Sequence, residues 1–413
     1  MQSPSQPSSG SYLFFCGLSA VLLYGISGGI RSDIGILLEP LREATGLSYG
    51  GLSFAIAILQ LSFGFSQPFW GLLAARRSHR FVLLSGVGLF LLGLLGLSLV
   101  HSLLGLVLTL GLCLGCGAGA ISFGLLLEAV IFAVGPQKGA LVSGFINAAA
   151  GLGSTFFSPL LSWLSLIGGI PAVSIVLSLI MVGTLPFLFY LTRPPKNAVH
   201  QEKGPISEAS FSTLLLGALK RPEFRYLLGA FMTCGFHMAL IEAHLFSQLL
   251  SYGLQRPHAA HAFAAYGLST VIGALISGFL SVHISKSRLL AIYYGFRAGL
   301  IVTVLFFLPK TFLSALFFCV GLGLSGGATV TPTSGIVTEH FPLAQSASLV
   351  GLLFLGHQLG AFLSAFWGGM TVAATGSYQS IWGIDSVLCL LASYLSAKIL
   401  PHQQKNTGSG HKA

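Results

Sequence analysis

Residues 83–100 read LLSGVGLFLLGLLGLSLV, eighteen positions without a charge or a proline. As a helix this stretch is about 27 Å long, close to the ~30 Å hydrocarbon core of a bilayer. Runs of this kind recur along the chain, separated by short gaps where glycine, proline and charge collect. Twelve are predicted: 12–38, 48–74, 81–100, 103–134, 138–166, 171–192, 224–251, 259–284, 289–309, 312–338, 344–372 and 377–399. The long 103–134 run is kept whole because neither charge nor proline interrupts it before Glu128. Only 7% of residues are charged and 54% are hydrophobic, whereas a soluble domain carries roughly 25% charge. Lipid must be the main solvent, and the fold class is an all-α membrane protein of twelve spans.

The net charge of +10 in a soluble protein would suggest nucleic acid. Here the basic residues sit in the gaps between spans, which makes them a topology signal and excludes a nucleic-acid partner. With the N-terminus inside, fifteen Lys and Arg fall in cytoplasmic gaps and three (Arg42, Arg256, Lys310) in outer gaps, with Arg31 and Arg297 left within spans. Both termini are therefore expected in the cytoplasm, in a plasma membrane (the inner membrane of a bacterium). The stretch GLLAARRSHR at 71–80 becomes a cytoplasmic hinge, echoed by GFLSVHISKSR at 278–288; Gly71 and Gly278 are 207 residues apart, about half the chain. Two six-helix halves follow, 12–192 and 223–399, joined by a cytoplasmic linker at 193–222, with disordered cytoplasmic ends at 1–11 and 400–413.

All six cysteines lie in apolar runs, where cysteine behaves as a small hydrophobe, so no disulfide framework is expected. Cys113 and Cys116 have CxxC spacing without flanking ligands and read as helix packing. The sequence contains no G-x-x-x-x-G-K-[ST] phosphate loop, which argues against an ATP-driven pump. Neither a metal, a cofactor nor an enzymatic activity is expected.

GLLAARRSHR is similar to the loop 2–3 signature G-x-L-A-D-R-x-G-R-R of the major facilitator superfamily. Ala75 and Val282 stand where that signature and its second copy carry an acid, so the charge latch the resemblance implies is missing or built differently. GIRSDIGILLEPL (29–41) resembles the first-span signature G-I-R-x-S-F-G-x-F-x-x-P-L of the oxalate–formate and monocarboxylate branch. CGFHMALIEAHL, GHQLGAFLSAFWGG and TGSYQSIWGIDSVL also look like segments of that branch. The resemblance implies a secondary transporter with its binding site between the halves.

Ionisable residues inside a bilayer cost roughly 2.5–3.5 kcal/mol each at the centre, so each requires a reason. Arg31 offers a planar fork suited to a carboxylate. Asp33 lies about 200° around the helix from it and should not pair with it. Arg297 is too deep to snorkel and is read with Arg31 as substrate-binding, as are His357 and Gln358. Glu128, His237, Glu242 and His244 are the proton-coupling candidates. His237 and His244 share a helical face about 10 Å apart in rise, too far to chelate one ion. Asp385, nearer an outer end, reads as structural. The expected function is proton-coupled symport of a small organic anion, a monocarboxylate, by alternating access, with lipid, protons and that anion as partners. The alternative is a drug or metabolite efflux antiporter of the same fold, although SGFINAAAGLGSTFFSPLL (143–161) lacks the Gly-Pro-x-x-Gly-Gly pattern of drug–proton exchangers.

Overall fold

The computed structural model describes residues 9–193 and 211–399. Residues 1–8 of the expected 1–11 tail, the expected 400–413 tail and most of the linker (194–210) lie outside the described residues. The described residues form helices without a strand. We number the crossings α1 (Ser9–Ser32), α2 (Tyr49–Arg76), α3 (His79–Gly96), α4 (Leu103–Val134), α5 (136–168), α6 (170–191), α7 (Pro222–Ser251), α8 (Arg256–His283), α9 (Lys286–Phe306), α10 (Phe312–His340), α11 (Leu343–Thr375) and α12 (Gln379–Ala397). Among the described residues, eleven helices are long and apolar enough to cross a membrane. The longest of them contains Gly169, at φ 61° and ψ −157°. That left-handed φ, open mainly to glycine, turns the chain and divides α5 from α6.

Hydroxyl caps set several helix starts. Ser48, Ser78, Ser102 and Thr311 each accept a backbone N–H from the first turn of α2, α3, α4 and α10, satisfying donors that a bilayer would leave bare. The first helix ends earlier than its hydropathy predicts. Asp33 breaks it, and the chain continues as a 3-10 turn (Ile34–Leu37) and a short helix (Leu38–Thr45). At its other end α1 starts at Ser9, three residues before the expected boundary. The long 103–134 run contains a π-helical stretch (Val107–Leu114) and a break at Ile121 and Ser122. A second π turn, Ile241–Leu245, interrupts α7.

Within the first half α1 packs on α5; within the second, α9 packs on α12 and α8 on α10. The halves meet where α2 crosses α11 and α5 crosses α8. Large apolar side chains such as Leu104, Phe145, Phe279 and Phe307 are exposed, the surface that lipid tails require.

Candidate functional site

Each of the two crossings between the halves is tight at one end and open at the other. On α2 and α11, a side chain at Gly64 would collide with Gln358, whereas a Cβ at Gly71 or Gly351, one heptad further on the same faces, would meet nothing within 4 Å. On α5 and α8, Gly151 approaches the carbonyl of Gly267 and the side chain of Val271, while Gly144 and Gly278, again one heptad on, face open space. The open end is the one carrying the basic hinge Arg76–Arg80. The tight end carries Tyr49, Tyr378 and Arg256, which donates to Ser165 Oγ at 3.4 Å across α8 and α5.

At the tight end, His244 Nε2 lies 3.0 Å from the Ala365 carbonyl and Nδ1 lies 3.0 Å from Tyr49 Oη. A carbonyl only accepts, so the imidazole proton is on Nε2 and Nδ1 accepts from the Tyr49 hydroxyl. Tyr49 Oη then accepts from Tyr378, also at 3.0 Å. This chain of donors ties α2 to α7, α11 and the start of α12. It closes one wall of a cavity of about 600 Å³ that also includes Glu39, Arg42 and Ser247.

Between the tight and open ends lies the ionic centre. Arg31 on α1 donates to Glu242 on α7 through both terminal nitrogens, at 2.9 Å to Oε2 and 3.2 Å to Oε1. Gln60 on α2 completes a triangle: its Oε1 accepts from Arg31 at 2.7 Å and its Nε2 donates to Glu242 Oε2 at 2.7 Å. Arginine only donates, so the amide has one consistent orientation. Phe63 supports the guanidinium, 4.5 Å from ring centroid to Cζ. The Arg31 side chain remains 14% exposed and that of Glu242 8%, so a solute in the cleft can touch the pair. The π turn in α7 aims Glu242 at this centre, and Gly35 lets the 3-10 turn after α1 lie against the carbonyls of Glu242 and Ala243. An inserted residue of this kind often marks a functional position.

The structure separates the other expected site residues. Asp33 faces away from Arg31 and accepts from Ser154 at 2.5 Å and Ser158 at 2.8 Å on α5. Arg297, expected at the substrate, is fully buried in the second half. Its three nitrogens are committed to Ser325 Oγ, Cys234 Sγ and the Ser325 and Gly326 carbonyls, so it braces α9 against α10 and α7. Glu128, expected in the pathway, is half-exposed, 3.7 Å from His79. It lies six residues before the end of α4, close enough for its carboxylate to reach water. His244 has both ring nitrogens engaged at the tight end. Its partners are on α2 and α11, and a π turn separates it from His237 along α7.

His237 pairs instead with Asp385 on α12, Nδ1 to Oδ2 at 2.6 Å, both fully buried. Cys389 brings a third donor atom within 4.8 Å of these two. Two ligands of one tetrahedral ion lie roughly 3.3 Å from each other, whereas at 2.6 Å His237 and Asp385 are joined directly by a hydrogen bond. His357 packs its ring 4.8 Å from that of Phe231. Gln358 lies against Gly64, with its Oε1 buried and without a hydrogen-bond partner. Sequence reasoning missed Gln60, Tyr49 and Tyr378. Gln60 carried a signal, as the amide in the middle of an apolar span, whereas tyrosines at span ends are too common to attract notice.

A family model described as the Major Facilitator Superfamily matches residues 13–365 and, again, 248–412. The chain is 24% identical over 401 residues to an uncharacterized MFS-type transporter of Bacillus subtilis, YcxA, covering 92% of this chain and 93% of the relative. It is also 24% identical over 390 residues to the oxalate:formate antiporter of Oxalobacter formigenes, covering 92% and 90%. Among solved structures it superposes on a D-xylose-proton symporter with TM-score 0.74, 16% identity and coverage of 95% and 99%. It superposes on the nucleoside transporter NupG with TM-score 0.75, 12% identity and coverage of 94% and 100%.

Proposed function

The chain belongs to the major facilitator superfamily, a family of membrane transporters, and on that premise we propose that it moves a small organic anion, a monocarboxylate, across the plasma membrane together with a proton. The observation that carries this reading is the two-point contact of Arg31 with a carboxylate, that of Glu242. A guanidinium fork that holds one carboxylate in this way is shaped to hold another. The site is small and faces the cleft between the halves, with aromatic support from Phe63 and an amide from Gln60 to receive the second carboxylate oxygen. Likeness to an oxalate:formate antiporter supports an organic-anion cargo.

The halves 12–192 and 223–399 rock about the Arg31 centre. The basic gaps face the cytoplasm, so the Tyr49–His244–Tyr378 end is the outer gate and the open end faces inward. Opening outward requires Tyr49, Tyr378 and Arg256 to lose their partners while the faces bearing Gly71, Gly144, Gly278 and Gly351 come together.

A thermal-shift screen of the purified protein against formate, oxalate, lactate, amino acids and tetraphenylphosphonium tests the substrate class. A small carboxylate should stabilise the wild type. Arg31→Lys, which keeps the charge but loses the fork, should bind it more weakly. Arg31→Gln should lose about 2–5 kcal/mol of binding, roughly 30- to several-thousand-fold in affinity, while remaining folded. Wild-type affinity in Arg31→Gln, or stabilisation by the lipophilic cation alone, overturns the anion reading; the second result favours the efflux alternative.

A further inference from the structure

We infer that Glu242 is an internal occupant of the anion site, which the arriving anion displaces from Arg31 and which then takes up the coupled proton. This rests on the anion reading of Arg31 and adds how the proton is counted. In the closed triangle Arg31 carries one positive charge and Glu242 one negative charge, with Gln60 bonded to both. An incoming carboxylate that takes the two terminal nitrogens of Arg31 leaves Glu242 as a second, unpaired negative charge in a largely dry cleft. Such a charge is expensive, and a carboxylate so placed takes a proton. The balance is one anion and one proton in, with Arg31 paired to the anion and Glu242 neutral. With a monovalent anion the site is uncharged before and after, and the loaded carrier moves no net charge.

The surroundings offer Glu242 no second cation once Arg31 is occupied. The groups that share its field are Arg31, Tyr24 and Asp33 from the α1 side and Tyr266 from α8, with Gln60 in direct contact from α2. Arg31 is the only cation among these, and the anion takes it. On α7 itself, His237 is held by Asp385 and His244 by Tyr49 and Ala365, so neither histidine offers Glu242 a replacement charge. Gln60 can serve both states. Its amide donates to the ionised carboxylate and, turned over, accepts from the O–H of the acid.

The same displacement loosens the outer end. Glu242 links the halves through Arg31 and Gln60, and a neutral acid that has lost the guanidinium no longer holds α1 and α2 to α7 by charge. An anion arriving from the open side thus removes one of the ties that keep the other side shut.

Calorimetric titration with formate, oxalate and lactate in two buffers of different ionisation enthalpy tests this. In mildly acidic buffer the wild type should take up close to one proton per anion bound, falling as pH rises. Glu242→Gln should bind the same anion more tightly and take up none. Glu242→Asp should restore proton uptake, and melting temperatures would confirm that both variants are folded. Anion binding by the wild type with no proton uptake at any pH between 5 and 8 overturns this inference and leaves the Arg31 reading standing. Unchanged proton uptake in Glu242→Gln overturns it as well. If none of the three anions binds the wild type, the proposed function itself fails and this inference with it.

Discussion

Tyr49→Phe isolates the hydrogen-bond chain that we propose as the outer gate. The substitution keeps the ring, whose centroid lies 5.8 Å from that of His244, and removes only the hydroxyl shared by His244 Nδ1 and Tyr378 Oη, at 3.0 Å each. Each neutral hydrogen bond contributes about 1 kcal/mol net, so the closed outer end should lose about 2 kcal/mol relative to the open one. That is roughly a 30-fold shift in the population of the two states. Tyr378→Phe removes one bond of the two and should shift it only about 5-fold. The reporter is Ser53→Cys, a near-isosteric change at a fully buried position where α2 touches Gly369 of α11. Its rate of labelling by a membrane-impermeant maleimide, in right-side-out cells, reads the fraction of molecules open outward. Rates should rise in the order parent, Tyr378→Phe, Tyr49→Phe, with ratios near 1:5:30. Equal rates in all three would refute the hydrogen-bond chain as a gate. Faster labelling from inverted vesicles would place this end in the cytoplasm.

Two further outcomes follow from packing and from the second half. Gly235→Ala would drive a Cβ into the backbone of His357, which cannot yield as a side chain can; it should cost about 1–3 kcal/mol and lower the melting temperature, while Gly71→Ala, facing open space, should leave melting unchanged. His237→Leu strands the buried Asp385 carboxylate and should destabilise the protein by about 3–5 kcal/mol, with anion affinity per folded molecule, measured by the same calorimetry, unchanged.

The twelve crossings were legible because each must be long and apolar, and hydropathy reports both properties directly. Even the α5–α6 division fell between the predicted ends at 166 and 171, bracketing Gly169. The end of α1 was not legible, because Asp33 finds its partners on a helix more than a hundred residues away. The choice of Arg31 and Glu242 as unusual charges came from the cost of burying them, but nothing local to either predicted that they would meet. Arg297 illustrates the limit. Its depth singled it out correctly as needing partners, yet whether those are backbone carbonyls or a solute depends on how α10 passes beside α9, which no span-by-span reading contains. The π turn in α7 was not legible either, since its apolar pattern is that of a regular helix.

The partners in the central triangle are made at very different times. Gln60 follows Arg31 by 29 residues and Glu242 follows it by 211. Synthesis at about 5–20 residues per second puts a delay of roughly 10–40 s between the first helix and its counter-ion. During that interval the guanidinium sits in a nascent half-protein at a cost of a few kcal/mol, with only the neighbouring Ser32 hydroxyl beside it on its own helix, and the amide of Gln60, arriving within seconds, is the first acceptor that another helix brings to it. The amide that later bonds to both Arg31 and Glu242 is thus also an escort for Arg31 in the unfinished chain. Losing it should reduce the yield of inserted protein even where the completed molecule tolerates the change.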